Sequence, residues 1–282
     1  MIVLLLISLA SWGACENENY TDEFARKYMF PLSAAAYSDY PWLCLKHKFL
    51  GSKLIRQATV KCDGGECSGF LAVLHEEEAI VLSFRGTQGL LQLLEEAKQS
   101  AIMAWTAWPF GGKVSKYFEH AFYNVWIHGM EEDFKDLRER YPDYDVWVTG
   151  HSLGGAMAAL AASHIVGKGL VHKTMVKLVT FGQPRVGDQI FASFHDQQIP
   201  FSYRVVRWRD LVPHIPSKDI YRYYHQGTEV FYTTSMYPRQ FVICERGENK
   251  ECSSSIWNTG VDDHLFYFNK LVSEYGKNGC YE

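Results

Sequence analysis

Five consecutive residues constrain this chain more than any others: Gly150-His151-Ser152-Leu153-Gly154. The apolar run Asp145-Val146-Trp147-Val148-Thr149 before them reads as a short strand. The small-residue run Gly155-Ala156-Met157-Ala158-Ala159-Leu160-Ala161-Ala162 after them reads as part of a helix over 153–166 that packs closely on a sheet. Gly-x-Ser-x-Gly between a strand and a helix is the setting of a nucleophile elbow. The reason is steric. A serine in so tight a turn takes strained backbone angles, and the residues two away must be small, as Gly150 and Gly154 are. Ser152 Oγ is then held out from the sheet at a helix N-terminus, and the backbone N–H of Leu153 points to where an oxyanion would form. A phosphate-binding loop is the rival reading, but no Gly-Lys-Ser/Thr follows. The second residue of such an elbow points away from the site, so His151 is expected to hydrogen-bond within the core.

The rest of the chain repeats this alternation. Apolar segments at 69–74, 79–84, 176–181 and 203–208 read as strands, and 125–141 and 189–197 read as helices. The pattern predicts an α/β fold: a mostly parallel central sheet with helices on both faces. At 282 residues and 47% apolar, the chain is long enough for one large domain, and no Pro/Gly/Ser linker divides it. Its formal net charge of −4 argues against a basic nucleic-acid binder. Mean hydropathy is −0.18, which argues against a polytopic membrane protein.

The first residues read as an address. Residues 2–10 are almost wholly apolar but too short to span a bilayer, and small residues follow at Ser11, Gly13 and Ala14. This predicts a signal peptide over 1–15, a single domain over 16–282, and a secreted, extracellular chain with no transmembrane segment. Asn19-Tyr20-Thr21 is a glycosylation sequon at Asn19. Of seven cysteines, cleavage after Cys15 leaves six, an even number that suits an oxidising compartment. Cys62 and Cys67 flank a turn, and Cys244 and Cys252 flank a charged stretch. Cys44 and Cys280 would then join the two ends of the domain, though six cysteines leave all fifteen pairings open.

A serine needs a base, and the base needs an orienting acid. In this class of fold the chain order is Ser, acid, His. Asp210 lies in a loop just past the 203–208 strand, and His264 lies in the loop Gly260-Val261-Asp262-Asp263-His264. These are the expected partners of Ser152. His214 competes as base, and Asp262 or Asp263 competes more weakly as acid. His164, His172 and His195 read as solvated or packing histidines. No ligand cluster has metal-site spacing, and His120 and His225 read as surface residues near acids. No cofactor is called for.

Several further motifs stand in order: Ser33-Ala34-Ala35-Ala36-Tyr37, Ser83-Phe84-Arg85-Gly86-Thr87, Phe181-Gly182-Gln183-Pro184-Arg185-Val186-Gly187-Asp188 and Asp210-Leu211-Val212-Pro213. With the elbow and Asp263-His264, they make the chain resemble the class 3, fungal-type triacylglycerol lipases, and among them a secreted animal member. The resemblance runs from about residue 24 to the C-terminus. It implies an α/β-hydrolase fold with a helical lid, a triad of Ser152, Asp210 and His264, and an oxyanion hole of Thr87 and Leu153. It also implies one end-to-end disulfide and two short ones, in keeping with the pairing above.

Between Thr87 and Phe110, Leu90, Leu93, Leu94, Ala97 and Ala101 share one helical face opposite Gln92, Glu95, Glu96 and Gln99. On pattern alone this is an ordinary core-facing helix. Its place after Thr87, where the related lipases carry a mobile lid, assigns Leu90, Leu93 and Leu94, with Tyr37, to the substrate and lid region. Met103, Trp105, Trp108 and Phe110 are then candidates to line an acyl groove or meet an interface. The expected partner is a lipid ester at an oil–water or membrane interface. Phospholipases and feruloyl esterases share the fold, and a catalytically silent lipid-binding relative is the contrasting class.

Overall fold

The structure is a computed structural model and describes residues 19–63, 65–86, 104–233, 235–245 and 248–281. The expected signal peptide over 1–15, Thr87, and the lid residues Leu90, Leu93 and Leu94 lie outside the described residues.

Twelve strands are described. They are β1 (Ser52–Cys62), β2 (Gly65–Leu74), β3 (Ala79–Phe84), β4 (Trp105–Ala107), β5 (Lys113–Ser115) and β6 (Asp145–His151). β7 (Val176–Phe181), β8 (Phe201–Arg207), β9 (Thr228–Tyr232), β10 (Val242–Cys244), β11 (Phe266–Tyr267) and β12 (Lys270–Leu271) follow. Eight form one sheet in the order β1-β2-β3-β6-β7-β8-β9-β10. Its centre, β3 through β9, is parallel, and antiparallel strands extend both ends.

The central strands are buried on both faces, so they read as unbroken apolar runs. All six residues of β3 are buried. Alternate side chains feed opposite layers. Ile80, Leu82, Phe84, Val146 and Val148 enter the core under helices Lys116–Val125 and Leu153–Gly167. Ala79, Val81, Trp147 and Val179 enter the core under helices Phe30–Ala35 and Val272–Lys277. The helix Leu153–Gly167 is buried from Leu153 to Ile165, which its alanines and glycines permit.

Edge strand β1 carries no clear sequence signal because charged residues interrupt it: Lys53, Arg56 and Lys61. Such charges suit a strand with one free edge. Of the expected helix over 125–141, only Glu131–Arg140 is a regular helix; the tight segment Trp126–Met130, with Gly129 at φ +89°, joins it to a preceding helix, Lys116–Val125. The Arg56 guanidinium occupies the place a Gly129 side chain would take, and Arg56 pairs with Asp133. Helix pattern continued across the break because the flanking residues keep their periodicity.

Trp108 and Phe110 pack on the helix Leu153–Gly167. Trp108 is 4% exposed, and its Nε1–H donates to Ser163 Oγ at 2.9 Å. Phe110 packs on the His164 ring and over Gly167. Trp105 stacks on Tyr223 with ring centroids 3.9 Å apart. Disulfides join Cys44 to Cys280, Cys62 to Cys67 and Cys244 to Cys252. The first spans 236 residues, and the chain-entropy estimate for a loop of that length is about 5 kcal/mol.

Candidate active site

The site is built at the carboxyl ends of the parallel strands. Gly150 is in register with Phe84 of β3 and Thr180 of β7, so the residue two positions on emerges where three strands end together. That residue is Ser152, with φ 63° and ψ −131°. Its N–H donates to Phe181 O at 2.9 Å, which anchors the strained turn to the neighbouring strand. A Cβ on Gly150 would lie 2.2 Å from Gly154 O, and one on Gly154 would lie 2.1 Å from Phe84 O. The elbow therefore closes only with glycine at both places. Leu153 begins the helix Leu153–Gly167, so its N–H belongs to the first turn, where helical N–H groups have no intrahelical acceptor.

Asp210 follows β8, and its loop is tied to the loop carrying His264 by backbone bonds. Gly260 N–H donates to Arg209 O at 2.7 Å, and Leu211 N–H donates to Gly260 O at 3.2 Å. This brings His264 Nδ1 to 3.0 Å from each Asp210 oxygen. Asp210 also accepts from Val212 N–H at 2.8 Å and from the Tyr267 hydroxyl at 2.6 Å. Burial acts to raise the Asp210 carboxyl, but His264, Tyr267 and Val212 together hold it below its ordinary value. With Nδ1 on Asp210, His264 has only Nε2 left. That atom and Ser152 Oγ are both buried, and neither has a hydrogen-bond partner among the described residues.

His151 supports this arrangement from behind. Burial, then the neighbouring His264, pushes its pKa down to about 3, so the ring is neutral. Its Nε2 lies 2.8 Å from His264 O, a pure acceptor, so Nε2 carries the proton. The bare Nδ1 then accepts the Tyr37 hydroxyl at 2.7 Å. The His151 and His264 rings stack 4.4 Å apart. Tyr37 is thus placed beneath the site, 7% exposed. Gly86 lies against the serine: a Cβ there would meet Tyr37 Oη at 2.1 Å and Ser152 Cβ at 2.9 Å.

The competitors fall elsewhere. Asp263 pairs with Arg207 at 3.4 Å. The Asp210 oxygens are occupied by partners other than His214. His214 instead borders a cavity of about 670 Å³ with Arg185, Lys218, Glu248 and Trp257. His225 is not a surface residue: it is 6% exposed, and its Nε2–H donates to Pro213 O at 2.7 Å. Tyr267, Gly86 and Gly182 were not singled out as site residues by sequence reasoning. Gly182, at φ +55°, leaves room that Asp210 Oδ2 and His264 Nδ1 fill. Gly86 and Gly182 sit in the motifs at 83–87 and 181–188, and nothing in the sequence around Tyr267 marks it.

The family model for lipase (class 3) matches residues 81–220. Lipase ZK262.3 of Caenorhabditis elegans is 35% identical over 94% of this chain and 84% of its own length. The chain belongs to the class 3 lipase family. As such it is a carboxylic ester hydrolase, and its substrate is a lipid ester. The Rhizomucor miehei triacylglyceride lipase structure superimposes with a TM-score of 0.79, at 28% identity, over 90% of this chain and 97% of that one. A second solved relative, at TM-score 0.77 and 28% identity over 87% and 94%, is a triacylglycerol lipase whose catalytic centre is formed by a serine protease triad.

Proposed function

We propose that this chain is a secreted serine lipase that hydrolyses acylglycerol esters with Ser152 as nucleophile, His264 as base and Asp210 as the orienting acid. The observation that carries the reading is the pair of leftover atoms. Asp210 takes His264 Nδ1, which leaves Nε2 to accept a proton, while Ser152 Oγ stands at a strained elbow with no hydrogen-bond partner among the described residues. In the reaction His264 Nε2 accepts the serine proton as Oγ attacks the ester carbon. Asp210 stabilises the resulting imidazolium. His264 then returns the proton to the leaving alcohol, and water repeats the cycle on the acyl-enzyme. The N–H groups of Leu153 and Thr87, with the Thr87 hydroxyl, would hold the oxyanion. Triacylglycerol is the favoured substrate by kinship with lipases that act on it. Residues 16–282 would form one catalytic domain behind a signal peptide over 1–15, with Asn19, an exposed residue, glycosylated. Three disulfides and a secreted fungal relative support an extracellular setting.

Ser152→Ala is expected to lower kcat by about 10⁴ to 10⁶ while the circular dichroism spectrum is unchanged. Near-normal turnover by that variant would sink the assignment. A panel of p-nitrophenyl esters of rising chain length, with emulsified triglyceride, phosphatidylcholine and a feruloyl ester, separates the substrate classes. The lid reading has its own test. Leu90→Glu with Leu94→Lys is expected to abolish the jump in tributyrin turnover above its solubility limit and to spare hydrolysis below it. Each buried leucine is worth about 1.5–3 kcal/mol, so two charges should weaken interfacial binding by orders of magnitude. Equal losses on dissolved and emulsified substrate would make these leucines plain core residues.

A further inference from the structure

The segment that carries Asp210 is held by a side-chain clamp the mechanism does not use. Between Asp210 and Ser217, four successive carbonyls, from Pro213 to Pro216, are each bound from outside the segment. His225 Nε2–H donates to Pro213 O. Arg185 Nη1–H donates to His214 O and to Pro216 O, and the Arg185 backbone N–H donates to Ile215 O. One arginine therefore serves three of the four. Its other edge is bidentate on Glu248, Nε to Oε1 at 2.8 Å and Nη2 to Oε2 at 3.0 Å. Glu248 Oε1 also accepts the His225 backbone N–H at 3.0 Å, so one carboxylate aligns both donors of the clamp. Glu248 comes from neither strand end of the site. It stands between Cys244 and Cys252, whose disulfide closes the loop that delivers it. A planar guanidinium locked on a carboxylate is pre-organised in a way a lysine is not.

We propose that Arg185 and Glu248 are positioning residues for Asp210. The carboxylate on the disulfide loop fixes the Arg185 plane, and Arg185 fixes the segment that begins at Asp210, so the Asp210–His264 contact is held at hydrogen-bond distance. The inference rests on the role of Asp210 proposed above. Its mark is kinetic. A clamp that only stabilised the fold would change the melting temperature and leave each folded molecule as active as before. A clamp that positions Asp210 acts on the basicity and orientation of His264. Among the described residues, Asp210, His151, Tyr267 and the Arg207–Asp263 pair are charged or titratable groups bonded to, or beside, His264 and Asp210; of these, Asp210 is the one the clamp reaches.

The experiment uses the full chain with Glu248→Gln and Glu248→Asp. Active sites are titrated with a serine-directed phosphonate, so that kcat is counted per competent site. Glu248→Gln is expected to lower kcat about tenfold or more on a soluble p-nitrophenyl ester with KM within twofold, since small misplacements of catalytic groups are costly. The acid limb of its kcat/KM profile should move to lower pH, because an imidazole loses basicity as its carboxylate partner recedes. Glu248→Asp keeps the charge and should recover part of both effects. Arg185→Lys should not, having one point charge for a fork of contacts. Unchanged kcat per titrated site and an unmoved acid limb in Glu248→Gln would overturn the proposal. So would loss of folded protein in both Glu248 variants, which would make the clamp purely structural. An inactive parent, or an active Ser152→Ala, would instead refute the underlying reading of the triad.

Discussion

The two halves of this site are made in different ways. The half that carries the proposed nucleophile is local: strand β6, one strained residue and a helix, with all decisive contacts set by backbone sterics within about a turn of Ser152 and by Phe84 and Phe181 on the strands alongside. The proposed acid–base half is assembled from afar. Asp210 and His264 meet across 54 residues, and Tyr267, His151, Tyr37, Arg185 and Glu248 hold them. The first half tolerates no extra atoms. The second is open to gradual loss, because each of its contacts is one of several.

The sharpest way to break this contrast is through glycine. Gly154→Ala places a methyl group 2.1 Å from Phe84 O, where backbone on both sides must move. We expect a loss of about 3 kcal/mol or more in denaturant-measured stability, with activity abolished. Gly260→Ala is the control in the other half, since a Cβ there meets nothing within 4 Å and the backbone is not left-handed. It should change stability by under about 0.5 kcal/mol. Comparable damage from the two substitutions would erase the distinction.

A smaller effect is expected at Tyr267. Tyr267→Phe removes one donor from Asp210 Oδ2 and leaves His264 and the Val212 N–H in place. Hydrogen bonds to a charged group are worth about 1.5–3 kcal/mol, so kcat should fall about 10- to 100-fold. That is far less than at Ser152. A fall equal to that of Ser152→Ala would mean that the acid half is as intolerant as the elbow.

The gentlest test is pH. Burial lowers His151 to about 3 and His195 to about 4, and holds His225 well below its ordinary value. The unfolded chain binds protons at these histidines near pH 6.5, whereas the folded chain does not. Their share of stability is therefore complete above about pH 6.5 and declines as pH falls toward 4, by up to about 1.4 kcal/mol per pH unit for each of His151 and His195. Urea midpoints from pH 7.5 to 4.5 check this. His151 stacks on His264 in the acid–base half, so activity should fail no later than global stability as pH falls. A midpoint independent of pH across that range would mean these rings titrate normally in the folded chain.

The elbow could be read from the chain because the physics that shapes it operates over five residues and two glycines. The central strands could be read because burial on both faces leaves continuous apolar runs, as in β3. Tertiary structure decided the rest, for reasons that no window of sequence contains. β1 is a strand because β2 pairs with it, over charged residues that hide it. β11 and β12 form a small hairpin just after His264, and that hairpin puts the Tyr267 hydroxyl on Asp210. Trp108 and Phe110 looked like lipid-facing aromatics, but the small residues of the Leu153–Gly167 helix leave room that they fill. His225 sat among acids and looked solvated, yet the loop carrying Glu248 folds over it. For Tyr267, Trp108 and His225 the side chain is ambiguous until its partner is known, and the partner lies 57, 55 and 23 residues away. By itself the sequence marked Ser152 as the proposed nucleophile and set the order of its candidate partners; which acid reaches which histidine was decided only when the loops after β8 and before β11 were bridged at Asp210 and Gly260.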